Sequence, residues 1–226
     1  MRLAFLLLAV AVSAEAQPRA EAVVEAWRAG WARDAAGVEG VALVERARHR
    51  VEGPRGGREV EIDAVVDYPT GQRPERRVQR VRVGGQDVDR QRAHDDGHRL
   101  RRTFGRAGRY ASWPPPLPDR LLARARASDL RPVQYGPTDA WQVTLETERG
   151  PSTAWFTRSA DRPRLLAVRT ERDEGRVTRE IRYARIQGLD LPAESRASVT
   201  IRQRRRLREY VVTLDVWATY ADPVLR

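Results

Sequence analysis

The pattern that most limits how this chain can fold is a strict two-residue alternation. Over 58–68, Val60, Ile62, Ala64, Val66 and Tyr68 alternate with Glu59, Glu61, Asp63, Val65 and Asp67. Successive side chains of a strand point to opposite faces, so one face of this segment is apolar and the other acidic. An antiparallel sheet with one solvated face is written this way. The period returns over 208–220, where Tyr210, Val212, Leu214, Val216, Ala218 and Tyr220 share a face. It also marks strands at 41–51, 76–83, 86–92, 99–104, 141–146, 153–158, 164–171, 176–187 and 196–203. Turn signals separate them at Gly53-Pro54-Arg55-Gly56-Gly57, Gly84-Gly85, Gly150-Pro151 and Asp173-Glu174-Gly175, with a bend over Gly188-Leu189-Asp190-Leu191-Pro192. Short strands at this spacing predict a mainly β fold with two helices, an antiparallel incomplete barrel or curved sheet covered by the helices.

Two segments leave the period. Residues 19–35 place Ala20, Val23, Val24, Trp27 and Trp31 at three- and four-residue steps, with Pro18 suited to the first helical position and Gly37 ending the helix. The two tryptophans, four apart, share a face. Between Tyr110 and Leu117 the chain breaks the strand pattern, because Trp113-Pro114-Pro115-Pro116-Leu117-Pro118 lacks the donors of a central strand. Asp119 to Ala127 then reads as a short helix carrying Leu121, Leu122 and Ala125. A proline-led helix between strands is either a flap or an ordinary surface connection.

The first residues predict export. Met1-Arg2 is a short positive start, Leu3 to Val12 is apolar, and Ala14-Glu15-Ala16 has the small-x-small form that signal peptidase reads. The apolar run is too short to span a bilayer, which takes about 20 residues. A signal peptide over 1–16 leaves 17–226 as one β domain, soluble in the periplasm. The chain has no cysteine, so disulfides, thiol catalysis and a lipid-modified cysteine are excluded. The net charge of +11 comes entirely from arginine, since no lysine is present. Those arginines alternate with 31 acidic residues rather than forming one basic face, which argues against a nucleic-acid partner. Transient attraction to an anionic membrane surface or an acidic partner fits the excess better.

No catalytic grouping is visible, so a non-enzyme is expected, with no cofactor. There is no G-x-S-x-G elbow, and a phosphate loop needs the lysine this chain lacks. His94-Asp95-Asp96-Gly97-His98 reads as a solvated turn, although two imidazoles and two carboxylates could hold zinc or manganese if His49 approached. No metal site is therefore assigned. Arg202-Gln203-Arg204-Arg205-Arg206 falls at the tip of the last hairpin, either a solvated turn or a docking patch in which Arg202, Arg204, Arg205 and Arg206 meet a partner or headgroups. The apolar faces supply candidates for a ligand cavity: Trp27, Trp31, Val60, Ile62, Val66, Leu121, Leu122, Trp141, Val143, Leu145, Leu214 and Val216. The same residues would equally make a packed core.

The order of these elements, with Trp141-Gln142-Val143-Thr144-Leu145, Trp155-Phe156, Arg164-Leu165-Leu166-Ala167-Val168, and Tyr183-Ala184-Arg185-Ile186 leading to Gly188-Leu189-Asp190-Leu191-Pro192, resembles the periplasmic lipoprotein-carrier (LolA/LolB-like) family. The resemblance implies an incomplete barrel whose apolar inner face holds acyl chains under a helical lid, and a soluble carrier of lipoproteins or another lipid. It also implies an arginine that ties the lid down, without saying which. On the same scaffold, an envelope sensor that contacts a protein partner is the other reading.

Overall fold

The structure, a computed structural model, describes residues 18–54, 56–70, 72–89, 103–105, 107–147, 150–159, 161–172, 177–205 and 208–226. Among these residues, eleven strands form one antiparallel sheet. They are β1 (Gly40–Gly53), β2 (Gly56–Pro69), β3 (Glu75–Val83), β4 (Gln86–Asp87), β5 (Arg126–Tyr135), β6 (Thr138–Thr147), β7 (Gly150–Thr157), β8 (Leu165–Arg172), β9 (Val177–Ile186), β10 (Leu189–Arg205) and β11 (Arg208–Leu225). The order across the sheet is β4-β3-β2-β1-β11-β10-β9-β8-β7-β6-β5. Every neighbour but one is next in sequence. The exception joins β1 to β11, with Glu45 opposite Tyr220 and His49 opposite Val216, so the two ends of the chain meet mid-sheet. The sheet is open: β4 and β5 are its edges and do not pair.

The alternation of 58–68 is realised as read, with Val60, Ala64, Val66 and Tyr68 buried and Ile62 half-buried. The β1–β2 hairpin pairs Gly53 with Gly56, and Gly56 sits at φ 97°, which a side chain would disfavour. The 188–192 segment is no bend: the chain turns at Gln187-Gly188 and β10 begins at Leu189, with only a register irregularity between Pro192 and Glu194. The partner of β3 shrinks to Gln86 and Asp87, residues 90–92 of that expected strand lying outside the described residues.

The other departures concern the middle of the chain. Of the strand expected at 99–104, the described residues Thr103 and Phe104 are helical, and 107–112 are helical as well. The helix expected over 119–127 is only Pro118–Leu122, and residues 126–135 form β5 instead. Pro132 and the charges of Asp129 and Arg131 hid this strand. All three are compatible with an edge, where proline costs no ladder bond and charge blocks further pairing.

α1 (Ala20–Asp34) carries the expected apolar stripe, starting two residues after Pro18. Val23, Val24 and Trp27 pack with Leu121 and Leu122 against Trp141, Val143, Leu145, Phe156, Val168 and Ile181 of β6–β9. A second cluster gathers Val41, Leu43, Ala47, Val66, Tyr68, Leu189, Leu191, Ala218 and Tyr220, with Trp31 and Leu117 against it. A third puts Phe104 and Ala111 on Val177, Ala197, Val199, Leu214 and Val216. Burying each large apolar side chain stabilises by about 1.5–3 kcal/mol, so these clusters supply most of the driving force. No helix among the described residues is long and apolar enough to cross a membrane.

Candidate functional site

The candidate site is this apolar face together with the described residues of the segment that lies on it, 104–105 and 107–125. The structure brings Trp27, Leu121, Leu122, Trp141, Val143 and Leu145 into one packed cluster and places Trp31 between it and the second. The rings of Trp27 and Trp31 stand 5.8 Å apart, as four-residue spacing on a helix requires. Val66 and half-buried Ile62 belong to the second cluster, and Leu214 and Val216 to the third. Val60 is buried but belongs to none of the three.

Besides these apolar contacts, polar bonds hold the segment to the sheet. Arg179 on β9, 3% exposed, donates from Nη1 to the carbonyl of Tyr110 (2.7 Å), from Nη2 to that of Trp113 (2.8 Å), and from Nε to Ser195 Oγ (3.1 Å). Its guanidinium also lies 5.6 Å from the Tyr110 ring. Arg28 on α1 donates to the carbonyls of Leu122 (2.7 Å) and Ala125 (2.6 Å), satisfying acceptors that the end of the Pro118–Leu122 helix leaves open. Arg120 Nη2 reaches the carbonyl of Pro69 at 2.9 Å. Three guanidiniums, each a fork of donors, thus fasten one segment to both α1 and the sheet.

α1 is itself pinned by Asp190, 1% exposed. Its Oδ2 accepts from Trp27 Nε1 and from the Leu165 backbone N–H, both at 3.0 Å, while Arg185 pairs with Oδ1 at 3.3 Å. Arg185 also pairs with Asp34 at the end of α1.

A second buried polar group lies on the inner face of β1, β2, β3 and β11. Glu45 Oε2 pairs with Arg76 Nε at 2.6 Å, and Oε1 accepts from Tyr220 OH at 3.3 Å. Burial raises the Glu45 carboxyl above its usual range, against the pull of Arg76. Burial, helped by Arg76, lowers the His49 imidazole to about 3, so it is neutral. Burial raises the Tyr68 and Tyr220 phenols too, with Glu45 adding to both.

Glu45, Arg179 and Asp190 were not singled out in the sequence, and His49 only as a possible metal ligand, yet three of the four carried a signal. Glu45 and His49 occupy the apolar phase of β1, between Leu43, Ala47 and Val51, and Arg179 falls between Val177 and Ile181 on β9. A charge in the buried phase of a strand asks for a partner. Asp190 gave no such sign, being read as part of a bend.

Among the described residues no group of three or more His, Cys, Asp or Glu could hold a metal ion. Residues 94–98 lie outside them, and His49 is enclosed beside Arg76. Of the basic run, Arg202 is exposed on β10; Arg206 and the side chains of Arg204 and Arg205 lie outside the described residues. On the opposite, outer face is a groove of about 580 Å³ between Arg46, Arg48, Arg50, Glu59, Glu61, Asp63, Arg82, Trp217 and Thr219. The groove is largely self-neutralised, since Arg48 pairs with Glu59 and Glu61, and Arg82 with Glu61 and Asp63.

No family model matches this sequence, and no curated protein does. Among solved structures, it is similar to a domain described as an outer membrane lipoprotein-sorting protein domain from Vibrio parahaemolyticus. That likeness has 10% identity and a TM-score of 0.45, over 92% of this chain and 94% of that one. It is also similar to a DUF1329 family protein from Desulfovibrio piger, at 8% identity and a TM-score of 0.40 over the same shares. The MucA/MucB complex of Pseudomonas aeruginosa follows at 11% identity and a TM-score of 0.23, over 86% of this chain and 93% of that one. The interior of this chain, and not these likenesses, carries the functional reading.

Proposed function

We propose that the chain is an exported periplasmic carrier that holds the acyl chains of lipoproteins, or of another lipid, against the apolar face of its sheet, without catalysis. Residues 1–16 act as the signal peptide and 17–226 as one carrier domain. The observation that carries this reading is how the cover, Phe104 with 107–125, is fastened: Arg179 and Arg28 donate to its backbone carbonyls, and its own Arg120 donates to the carbonyl of Pro69. Such bonds are strong one at a time but exchange readily with water. The cover can therefore lift while the sheet ladder stays intact, baring Leu214 and Val216 on one side and Trp141, Val143 and Leu145 on the other. An acyl chain then replaces the side chains of the cover, and release follows transfer to a better apolar site.

Native mass spectrometry of the protein purified from periplasm, with organic extraction, tests this. Co-purifying lipid or acylated peptide, lost in folded Ile62→Asp or Leu214→Asp variants, supports the carrier. A clean protein mass that takes up no added lipid contradicts it.

The outer groove favours a second reading, an envelope interaction module. Trp217 is 39% exposed beside arginines there, and exposed aromatics with arginine are typical of partner contacts. A module of this kind binds protein through the outer face and leaves the interior filled.

A further inference from the structure

The cluster around Glu45 is polar where a carrier of plain hydrocarbon would be apolar throughout. Arg76 stands opposite Val66 on β3, yet its guanidinium crosses β2 to reach Glu45, which stands opposite Ala64. The crossing runs over Ala64, fully buried and small. Several donors in this cluster find no acceptor among the described residues: Tyr68 OH, Arg76 Nη2 and His49 Nε2 have no hydrogen-bond partner there, although Tyr68 and His49 are 4% and 3% exposed. Buried polar groups are normally satisfied, and each exception calls for a reason.

The charge is also unbalanced. Among the described residues, Glu45 is acted on electrostatically by two guanidiniums, Arg76, paired with it at 2.6 Å, and Arg179, and it is the one carboxylate set against them. Arg179 makes no ion pair among the described residues; its donors go to two carbonyls and a hydroxyl. An enclosed cluster carrying one excess positive charge and spare donors is complementary to an anion.

We propose that this cluster seats the anionic oxygen headgroup of an amphiphile, a carboxylate or a phosphate, whose chain lies along Leu43, Val66 and Ala47. This rests on the carrier reading and names its cargo class. Tyr68 OH, Arg76 Nη2 and the Nε2–H tautomer of neutral His49 donate to the headgroup. Lifting the cover takes the Tyr110 and Trp113 carbonyls away from Arg179, and the anion replaces them as its acceptor. Opening and headgroup binding are thereby coupled through one guanidinium.

The test is calorimetric titration of the intact mature protein with decanoate, decyl phosphate and decanol, which share a chain and differ in head. At least one anion is expected to bind about tenfold or more tighter than decanol, and which of the two does so separates a fatty-acid cargo from a phosphate-bearing one. Tyr68→Phe is expected to cut that ratio to about threefold or less, while leaving the unliganded protein as stable as before or more so, because it removes only an unpartnered hydroxyl. Arg76→Leu combined with Glu45→Leu, which removes the charge pair without stranding either partner, is expected to abolish the ratio. Equal binding of decanol and both anions overturns the headgroup site and leaves the carrier standing. Tyr68→Phe that keeps the full ratio overturns it too. No binding of any of the three overturns the carrier reading and this one with it.

Discussion

Arg179 Nη2 donates to the carbonyl oxygen of Trp113 at 2.8 Å, across 66 residues of sequence. A buried arginine on a sheet interior is expensive unless its donors are spent, and here two of the three acceptors belong to the backbone of the proline-rich segment. Removing the side chain strands two carbonyls at about 1–3 kcal/mol each. Arg179→Leu is therefore expected to accelerate amide exchange over 107–117 by at least about tenfold, with β9 and β10 little changed. Arg179→Lys is expected to recover less than half of that protection, because an ammonium does not span two carbonyls as the planar fork does.

Asp190 joins three elements through one carboxylate. Asp190→Ala leaves Trp27 Nε1, the Leu165 N–H and Arg185 without their acceptor, a loss of about 3–5 kcal/mol by analogy with broken buried pairs. Asp190→Asn keeps an acceptor and is expected to cost less than half as much. Trp27→Phe, which forfeits the indole bond but most of its packing survives, is expected to fall between no change and about 2 kcal/mol. Urea denaturation of the three variants gives the ranking.

Gly108 lies inside the helical stretch 107–112, where an added Cβ would stand 2.5 Å from Phe104 Cβ. Phe104 must then leave its place against the third apolar cluster. Gly108→Ala is expected to destabilise by about 1–3 kcal/mol, although alanine is the better helix former. A rise in the urea midpoint would contradict this packing.

The pH dependence follows from His49. Its folded pKa of about 3 lies below the usual imidazole value of 6.5, because burial and Arg76 both oppose the cation. Between those values the unfolded chain binds the extra proton, so stability from this group is complete above about pH 6.5 and lost on acidification, at up to about 1.4 kcal/mol per pH unit. Glu45 works the other way: its raised pKa means that acid relieves a buried charge, which blunts the loss near and above pH 4.5. The neighbouring Tyr68 and Tyr220 phenols, raised by burial, keep their protons over this range. Melting temperatures from pH 7 to 4 are expected to fall more steeply for the natural chain than for His49→Leu. Parallel curves would contradict the assignment.

The sheet was legible wherever alternation is unbroken. Val60 to Tyr68 and Val212 to Tyr220 gave β2 and β11 with the correct inward phase, since one buried face leaves no freedom of register. β5 was not legible, because an edge strand carrying Asp129, Arg131 and Pro132 has no apolar face to show. The helical stretch 107–112 was missed for a related reason: Ala107, Tyr110 and Ala111, which face the sheet, are few, and two of them are too small to mark an apolar stripe. Of the site, the apolar residues were readable and their fastening was not. Glu45, His49 and Arg179 stood out by phase alone, but their partners come from strands and loops far along the chain, as with Tyr220, 175 residues from Glu45.

The most direct test of the carrier is whether the cover lifts when lipid enters. The chain has no cysteine, so Arg109→Cys on the 107–112 helix and Arg196→Cys on the outer face of β10, both at exposed positions, can carry a pair of nitroxide labels. Double electron–electron resonance is expected to show the label separation lengthen as decanoate or lipid is added, and return when the ligand is extracted. A separation that stays unchanged with lipid bound would contradict a cover that opens, and with it the account of how the interior is filled.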